Sequence, residues 1–210
     1  MKLLLYGNRP LAAMLYLDAQ QHPSIDVVAF VVDQKYTDPS GHFMGLPQVA
    51  FETVEQHYPP QDYWMITLDG TLPKTALLTD KAKAKGYRLA SYISPKAVIS
   101  QDIELGENSV IYELAYVGYG VKLGSSVLIR QHVYLGHESA IGDNVTLNPS
   151  SRCGGYCVVK DNAFIGIGAT VIDHRTIGKS SVVGAGSVVI KDVDDNTVVV
   201  GNPAKPKERD

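Results

Sequence analysis

Cysteine is scarce in this chain: Cys153 and Cys157 are the only two among 210 residues. Two cysteines build no disulfide framework, so they read as reduced thiols packed as small apolar groups. A basic excess is also missing. The formal net charge is −3, whereas a protein that grips nucleic-acid phosphates carries a surplus of Lys and Arg, which argues against nucleic acid as a partner. No stretch approaches the ~20 apolar residues needed to span a bilayer. The opening Met1-Lys2-Leu3-Leu4-Leu5 imitates a secretion signal, but it breaks at Gly7 and gives way to Asn8-Arg9-Pro10, with no small-residue cleavage site behind it. The expectation is a cytoplasmic protein without a membrane partner.

What remains is an ordinary globular composition, 45% hydrophobic and 20% charged, carrying one strong regularity. Every sixth residue from Ile93 through Ile99, Leu105, Ile111 and onward to Val189 is apolar, seventeen positions in succession, before Asp195 breaks the series. At this background such a run arises by chance about once in a million. Four residues after most of these comes a small or β-branched residue such as Ala97, Ser109, Ala115 or Val121. Glycine often follows directly, as at Gly106, Gly118, Gly136 and Gly154. Period six fits neither a helix nor a simple alternating strand. It fits short strands separated by regular corners, three to a coil of about 18 residues, the coils stacking at the strand spacing of about 4.8 Å. The aliphatics fill the interior, and the glycines are expected to relieve unusual dihedrals at the corners.

The first ninety residues read as a small α/β unit with a parallel sheet. Residues 2–6, 25–32 and 63–68 are strand candidates, and residues 10–20, 51–57 and 71–85 helix candidates. Pro10 sits in a first turn and Gly86 suits a C-terminal cap. This divides the chain into residues 1–90 and 91–210. In dinucleotide-binding folds the first turn is glycine-rich, so that phosphate can approach a helix N-terminus. Here the turn is Gly7-Asn8-Arg9-Pro10, with one glycine. Gly7, Asn8 and Arg9 are candidates to meet a substrate phosphate, and Asp33 ends the second strand where an acidic residue often does. The alternative is a plain turn and a surface charge.

Reactive side chains are sparse in the repeat region, which holds three histidines, His132, His137 and His174. His137 lies two residues after Leu135, at a corner. Acyl transfer to an amine or hydroxyl needs a base of near-neutral pKa, which imidazole supplies. Glu138 is a candidate to fix its tautomer. One coil on lies Gly155, whose N–H is a candidate donor to a developing oxyanion. Read without that chemistry, His137 is a solvated corner residue and Gly154-Gly155 a tight turn.

The repeat resembles the hexapeptide-repeat transferase superfamily, which implies a left-handed parallel β-helix and a homotrimer with sites between subunits. Ser94-Pro95-Lys96-Ala97-Val98-Ile99-Ser100, His137-Glu138-Ser139-Ala140-Ile141-Gly142-Asp143, Gly154-Gly155 and the tail Gly201-Asn202-Pro203-Ala204-Lys205 resemble the sugar acetyltransferases grouped with sialic acid O-acetyltransferase and bacillosamine N-acetyltransferase. The resemblance covers nearly the whole chain. It implies an acetyl-CoA-dependent transfer to an amino or hydroxyl group of a nucleotide-activated sugar, for surface polysaccharide or glycan synthesis, by direct attack in a ternary complex and without a metal. His137 is then the base, Glu138 its partner and Gly155 the oxyanion donor. The pantetheine arm lies near Ile167 and Ala185, and Lys205 faces coenzyme phosphates. Two features depart from the family pattern: Thr146 stands where a second histidine is common, and the N-terminal loop is poor in glycine.

Three other readings compete. β-Helix carbonic anhydrases hold zinc with three histidines, two of them five apart, and His132 and His137 have that spacing. However, no histidine lies between Ile93 and Arg130 to supply a third ligand. A non-catalytic trimeric scaffold would bind no coenzyme. Acetylation of a free small metabolite such as serine would leave the N-terminal unit idle.

Overall fold

The computed structural model describes residues 1–7, 9–69 and 72–207. The chain divides into two compact units, Met1–Ser91 and the remainder from Tyr92.

The first unit is a six-stranded sheet with helices. Its elements are β1 (Lys2–Gly7), α1 (Arg9–Ala19), β2 (Asp26–Val32), β3 (His42–Phe43), β4 (Leu46–Ala50), α2 (Val54–His57), β5 (Trp64–Leu68), α3 (Leu72–Ala84) and β6 (Arg88–Leu89). The strand order is β3-β4-β2-β1-β5-β6. All pairings are parallel except β3 with β4. Leu3, Leu4, Leu5 and Tyr6 are all buried, as expected of a parallel strand covered on both faces. α3 ends as the sequence predicts. Gly86 adopts φ 84°, its N–H donates to the Lys83 carbonyl, and the Tyr87 N–H donates to that of Ala82, closing the orphaned last turn. The hairpin β3–β4 and the short β6 are not evident in the residue pattern, since each is too short to show a period.

The second unit is a parallel β-helix. Two-residue strands pair with strands eighteen residues away, as Val110 with Leu128 and Leu128 with Thr146. They form three faces. The first holds Val110–Ile111, Leu128–Ile129 and Thr146–Leu147. The second holds Tyr116–Val117, Tyr134–Leu135 and Arg152–Cys153. The third holds Lys122–Leu123, Ala140–Ile141 and Val158–Val159. The period-six aliphatics and the small residues four positions later fill the interior. Both cysteines lie within it; burial pushes both thiols up, which keeps them unreactive.

The corners correct one expectation. The glycines that follow the aliphatics are not the residues in left-handed conformation. That conformation falls two positions later, at every sixth residue from Asn108 to Gly186, with φ between 53° and 67°. Most of these are not glycine. The strain is held by the coil below: the N–H of Glu138 donates to the Tyr119 carbonyl, and that of Tyr156 to the His137 carbonyl. The glycines are required by close stacking instead. A Cβ on Gly136 would come 2.5 Å from the backbone of Gly154 and Gly155, and one on Gly106 within 2.5 Å of Gly124.

The prism also continues past the predicted stop at Asp195. Val182 and Val183 pair with Val198 and Val199, sixteen residues on rather than eighteen. Val193 and Val199 join the core. A coil shortened by two residues is invisible to a strict six-residue count. Lys205–Pro206 then folds back antiparallel on Val199–Val200.

Candidate active site

In the first unit a cleft of about 630 Å³ opens at the carboxyl ends of β1, β2 and β5. There the strand order reverses about β1, the usual ligand site of an open parallel sheet. Gly7 and Asp33 line it, together with Lys35, Tyr36, Asp69 and Lys74. Asn8 and the Arg9 side chain lie outside the described residues. Gly7 has φ 123° and faces the Leu68 carbonyl so closely that a Cβ would strike it. Its lack of a side chain therefore first serves the contact between β1 and β5. Asp33 accepts hydrogen bonds from the Tyr6 hydroxyl and Lys81 Nζ, both at 2.7 Å and both on the same oxygen. Burial opposes ionisation of Asp33, but the bonds from Lys81 and Tyr6 and the Lys81 charge outweigh it and hold the carboxyl below its ordinary range. Burial and the Asp33 carboxylate push the Tyr6 hydroxyl up. Tyr6 and Lys81 are not evident in the residue pattern because their links to Asp33 span 27 and 48 residues.

In the β-helix, the edge that follows the second face carries Tyr119, His137, Gly155 and Asp173 in successive coils, eighteen residues apart. The imidazole of His137 lies against Gly155: a Cβ there would come 2.7 Å from both Cε1 and Nε2. His137 Nδ1 is buried, and no group among the described residues bonds it.

Two expectations about this edge need correction. Glu138 does not meet the ring. Its carboxyl lies over Gly120 in the coil below, within 2.9–3.3 Å of where a Cβ would stand, while the ring lies against the coil above. The Gly155 N–H is not open either: it donates to Asp173 Oδ1 at 2.8 Å. The same device recurs at Ser125 with Asp143 and at Asp143 with Asp161. In each case an aspartate reaches back eighteen residues to an amide left over by the ladder.

The ring is flanked by aromatics. Tyr119 stacks on it with centroids 5.4 Å apart and planes 7° from parallel. Tyr156 meets it edge to face at 5.0 Å and itself stacks on His174 at 4.8 Å. Counting eighteen back from His137 would have found Tyr119; nothing in the residue pattern marks Tyr156 as a ring neighbour.

Other predicted residues lie elsewhere on the prism. Ile167 and Ala185 are exposed on the edge that precedes the second face, not on the edge of His137. His132 lies on that same preceding edge, so within one chain its five-residue spacing from His137 does not bring the two to one metal. Among the described residues no cluster of three or more His, Cys, Asp or Glu side chains is placed to hold an ion. Thr146 is buried on the first face. Lys205 is exposed in the terminal strand. No helix among the described residues is long and apolar enough to cross a membrane.

No protein-family profile matches the sequence, and no curated protein matches it. Solved structures match over the whole length. PerB from Caulobacter crescentus, in complex with CoA and GDP-perosamine, is 26% identical with TM-score 0.88, covering 99% of this chain and 98% of its own. The acetyltransferase domain of PglB from Neisseria gonorrhoeae is 25% identical with TM-score 0.90, covering 98% and 99%, and a similar match is its complex with acetyl coenzyme A. WeeI from Acinetobacter baumannii is 26% identical with TM-score 0.87, covering 99% and 100%. The chain thus resembles the hexapeptide-repeat sugar acetyltransferases from end to end.

Proposed function

We propose, from that likeness, that this chain is an acetyl-CoA-dependent acyltransferase that acetylates an amino (or hydroxyl) group of a nucleotide-activated sugar. The carrying observation is the full-length match to PerB bound to CoA and GDP-perosamine, in a chain that sets an imidazole against a bare glycine. The cleft at the carboxyl ends of β1, β2 and β5 takes the nucleotide. Lys35, Lys74, Gly7 and Asp33 line that cleft, the lysines supply charge for its phosphates, and Asn8 and Arg9 are assigned to the same substrate from their place in the sequence.

His137 is the general base. The sugar nitrogen attacks the thioester carbonyl carbon, the N–C bond forms, and the carbonyl electrons move to oxygen. His137 takes the proton from the nitrogen. Collapse of the oxyanion breaks the C–S bond, and the imidazolium returns that proton to the departing thiolate, giving the amide and free CoA. Gly155 contributes room for the imidazole itself, since a side chain there would displace the ring. Service of its N–H as oxyanion donor requires release from Asp173.

The remaining assignments follow the same likeness. The coil is assigned a left-handed course from the resemblance to the hexapeptide-repeat transferases. Ile167 and Ala185 receive the pantetheine arm and Lys205 the coenzyme phosphates. Because one chain holds these residues and His137 on different edges, the donor site is completed between copies, and we assign a homotrimer. The enzyme acts in the cytoplasm, where acetyl-CoA and nucleotide sugars are made, and its product enters surface polysaccharide or glycan synthesis. The test is thiol release from acetyl-CoA against a panel of nucleotide amino sugars that includes GDP-perosamine and UDP-linked sugars. Turnover of one member is expected; no release above the acceptor-free rate with any of them overturns the reading.

A further inference from the structure

The catalytic reading leaves His137 without the carboxylate that usually orients a base, because Glu138 lies over Gly120 and Nδ1 is buried with no partner among the described residues. Resting on that reading, we infer that Tyr119 and Tyr156 are positioning residues that hold the His137 imidazole against Gly155.

An imidazole turns about two side-chain torsions, and a hydrogen bond at Nδ1 is the common way to stop it. Here contact stops it. Tyr119, one coil below, lies parallel to the ring at 5.4 Å and 7°. Tyr156, beside Gly155 in the coil above, meets the ring at 5.0 Å and 89°. Parallel contact on one side and perpendicular contact on the other block rotation about both torsions. Tyr156 is itself anchored: its N–H donates to the His137 carbonyl at 2.9 Å, and its ring is stacked on His174. Neither tyrosine fills the prism interior, since Tyr119 is 52% and Tyr156 47% exposed. Their rings lie along the edge where the base is, and hydrophobic burial does not account for them there. Stacking also favours the imidazolium formed during transfer, which a tyrosine face attracts.

The test uses the full chain with saturating acetyl-CoA and GDP-perosamine, or a UDP-linked amino sugar if the wild type prefers it. Tyr119→Leu and Tyr156→Leu each lower kcat about 10-fold or more, while KM for both substrates stays within about 3-fold, because a misplaced base costs the chemical step and not binding. Tyr119→Phe and Tyr156→Phe restore kcat, because the ring and not the hydroxyl makes the contact. Leucine variants with wild-type kcat, phenylalanine variants as slow as the leucine ones, or a raised KM at unchanged kcat overturn the inference. Crystal structures of the leucine variants provide a second readout that needs no turnover: the imidazole leaves Gly155, and an unmoved ring overturns the inference. An active His137→Ala variant overturns the base assignment instead. An inactive His137→Ala beside fully active leucine variants overturns the positioning role alone.

Discussion

Asp173 reaches back eighteen residues to accept the Gly155 N–H, and its carboxylate passes so close to Gly154 that a Cβ there would strike it and come 2.7 Å from the Asp173 amide nitrogen. The two adjacent glycines therefore have different obligations: Gly154 to the coil stack, Gly155 to the imidazole.

That difference predicts opposite phenotypes. Gly154→Ala meets backbone and destabilises the prism by about 1–3 kcal/mol, the usual cost of overpacking. Thermal unfolding should show a lowered Tm. A Tm equal to wild type would mean the coils can separate locally at no cost.

Gly155→Ala meets first the movable ring of His137. The fold should keep its Tm within a few degrees, while kcat falls at least about 10-fold as the ring is pushed aside. Parallel measurements of Tm and kcat on this variant and Gly154→Ala separate the two roles; unaltered turnover in Gly155→Ala would refute the account of the site.

His137→Ala should reduce kcat by about 10²–10⁴-fold and leave coenzyme affinity as it was. Steady-state kinetics with titration calorimetry of CoA checks both halves. Activity within a few-fold of wild type removes His137 from the base role.

Gly7→Ala combines a left-handed φ with a collision against the Leu68 carbonyl. It should destabilise the first unit by more than about 1 kcal/mol and abolish nucleotide binding in the neighbouring cleft. Hydrogen exchange would localise the loss to β1 and β5; protection unchanged there would count against it.

Asp33 predicts an acid-limb effect. Its carboxyl is held below the ordinary 3.8 by Lys81 and Tyr6, against the opposing effect of burial. A carboxyl depressed in the folded state stabilises fully above its ordinary pKa, and that stabilisation is lost as pH falls from there through the lowered native value. Denaturant unfolding at pH 7 and at successive acid steps should show Asp33→Asn less stable than wild type at neutrality, with the gap closing in strong acid. A gap constant with pH would mean that Asp33 ionisation is not coupled to folding.

Much of this was readable from residues alone. The β-helix was, because each coil buries the same kind of side chain at the same phase, so the period is written along the chain itself. So were the α/β unit and the cap at Gly86, and so was the adjacency of His137 to position 155, which follows from eighteen residues per coil. The device linking Asp173 to Gly155 was legible in principle by the same count, yet composition offers no reason to look for it.

Phase along the chain tells which residues share an edge, because stacking is periodic and local. It does not tell which way a side chain leaves that edge. Glu138 going down to Gly120 while His137 goes up to Gly155, Asp173 occupying the Gly155 amide, and Lys81 crossing to Asp33 all depend on backbone dihedrals and on contacts between distant segments. Those were settled when the coils and the sheet closed in three dimensions, since a left-handed residue at each corner turns its side chain in a direction that residue identity does not encode.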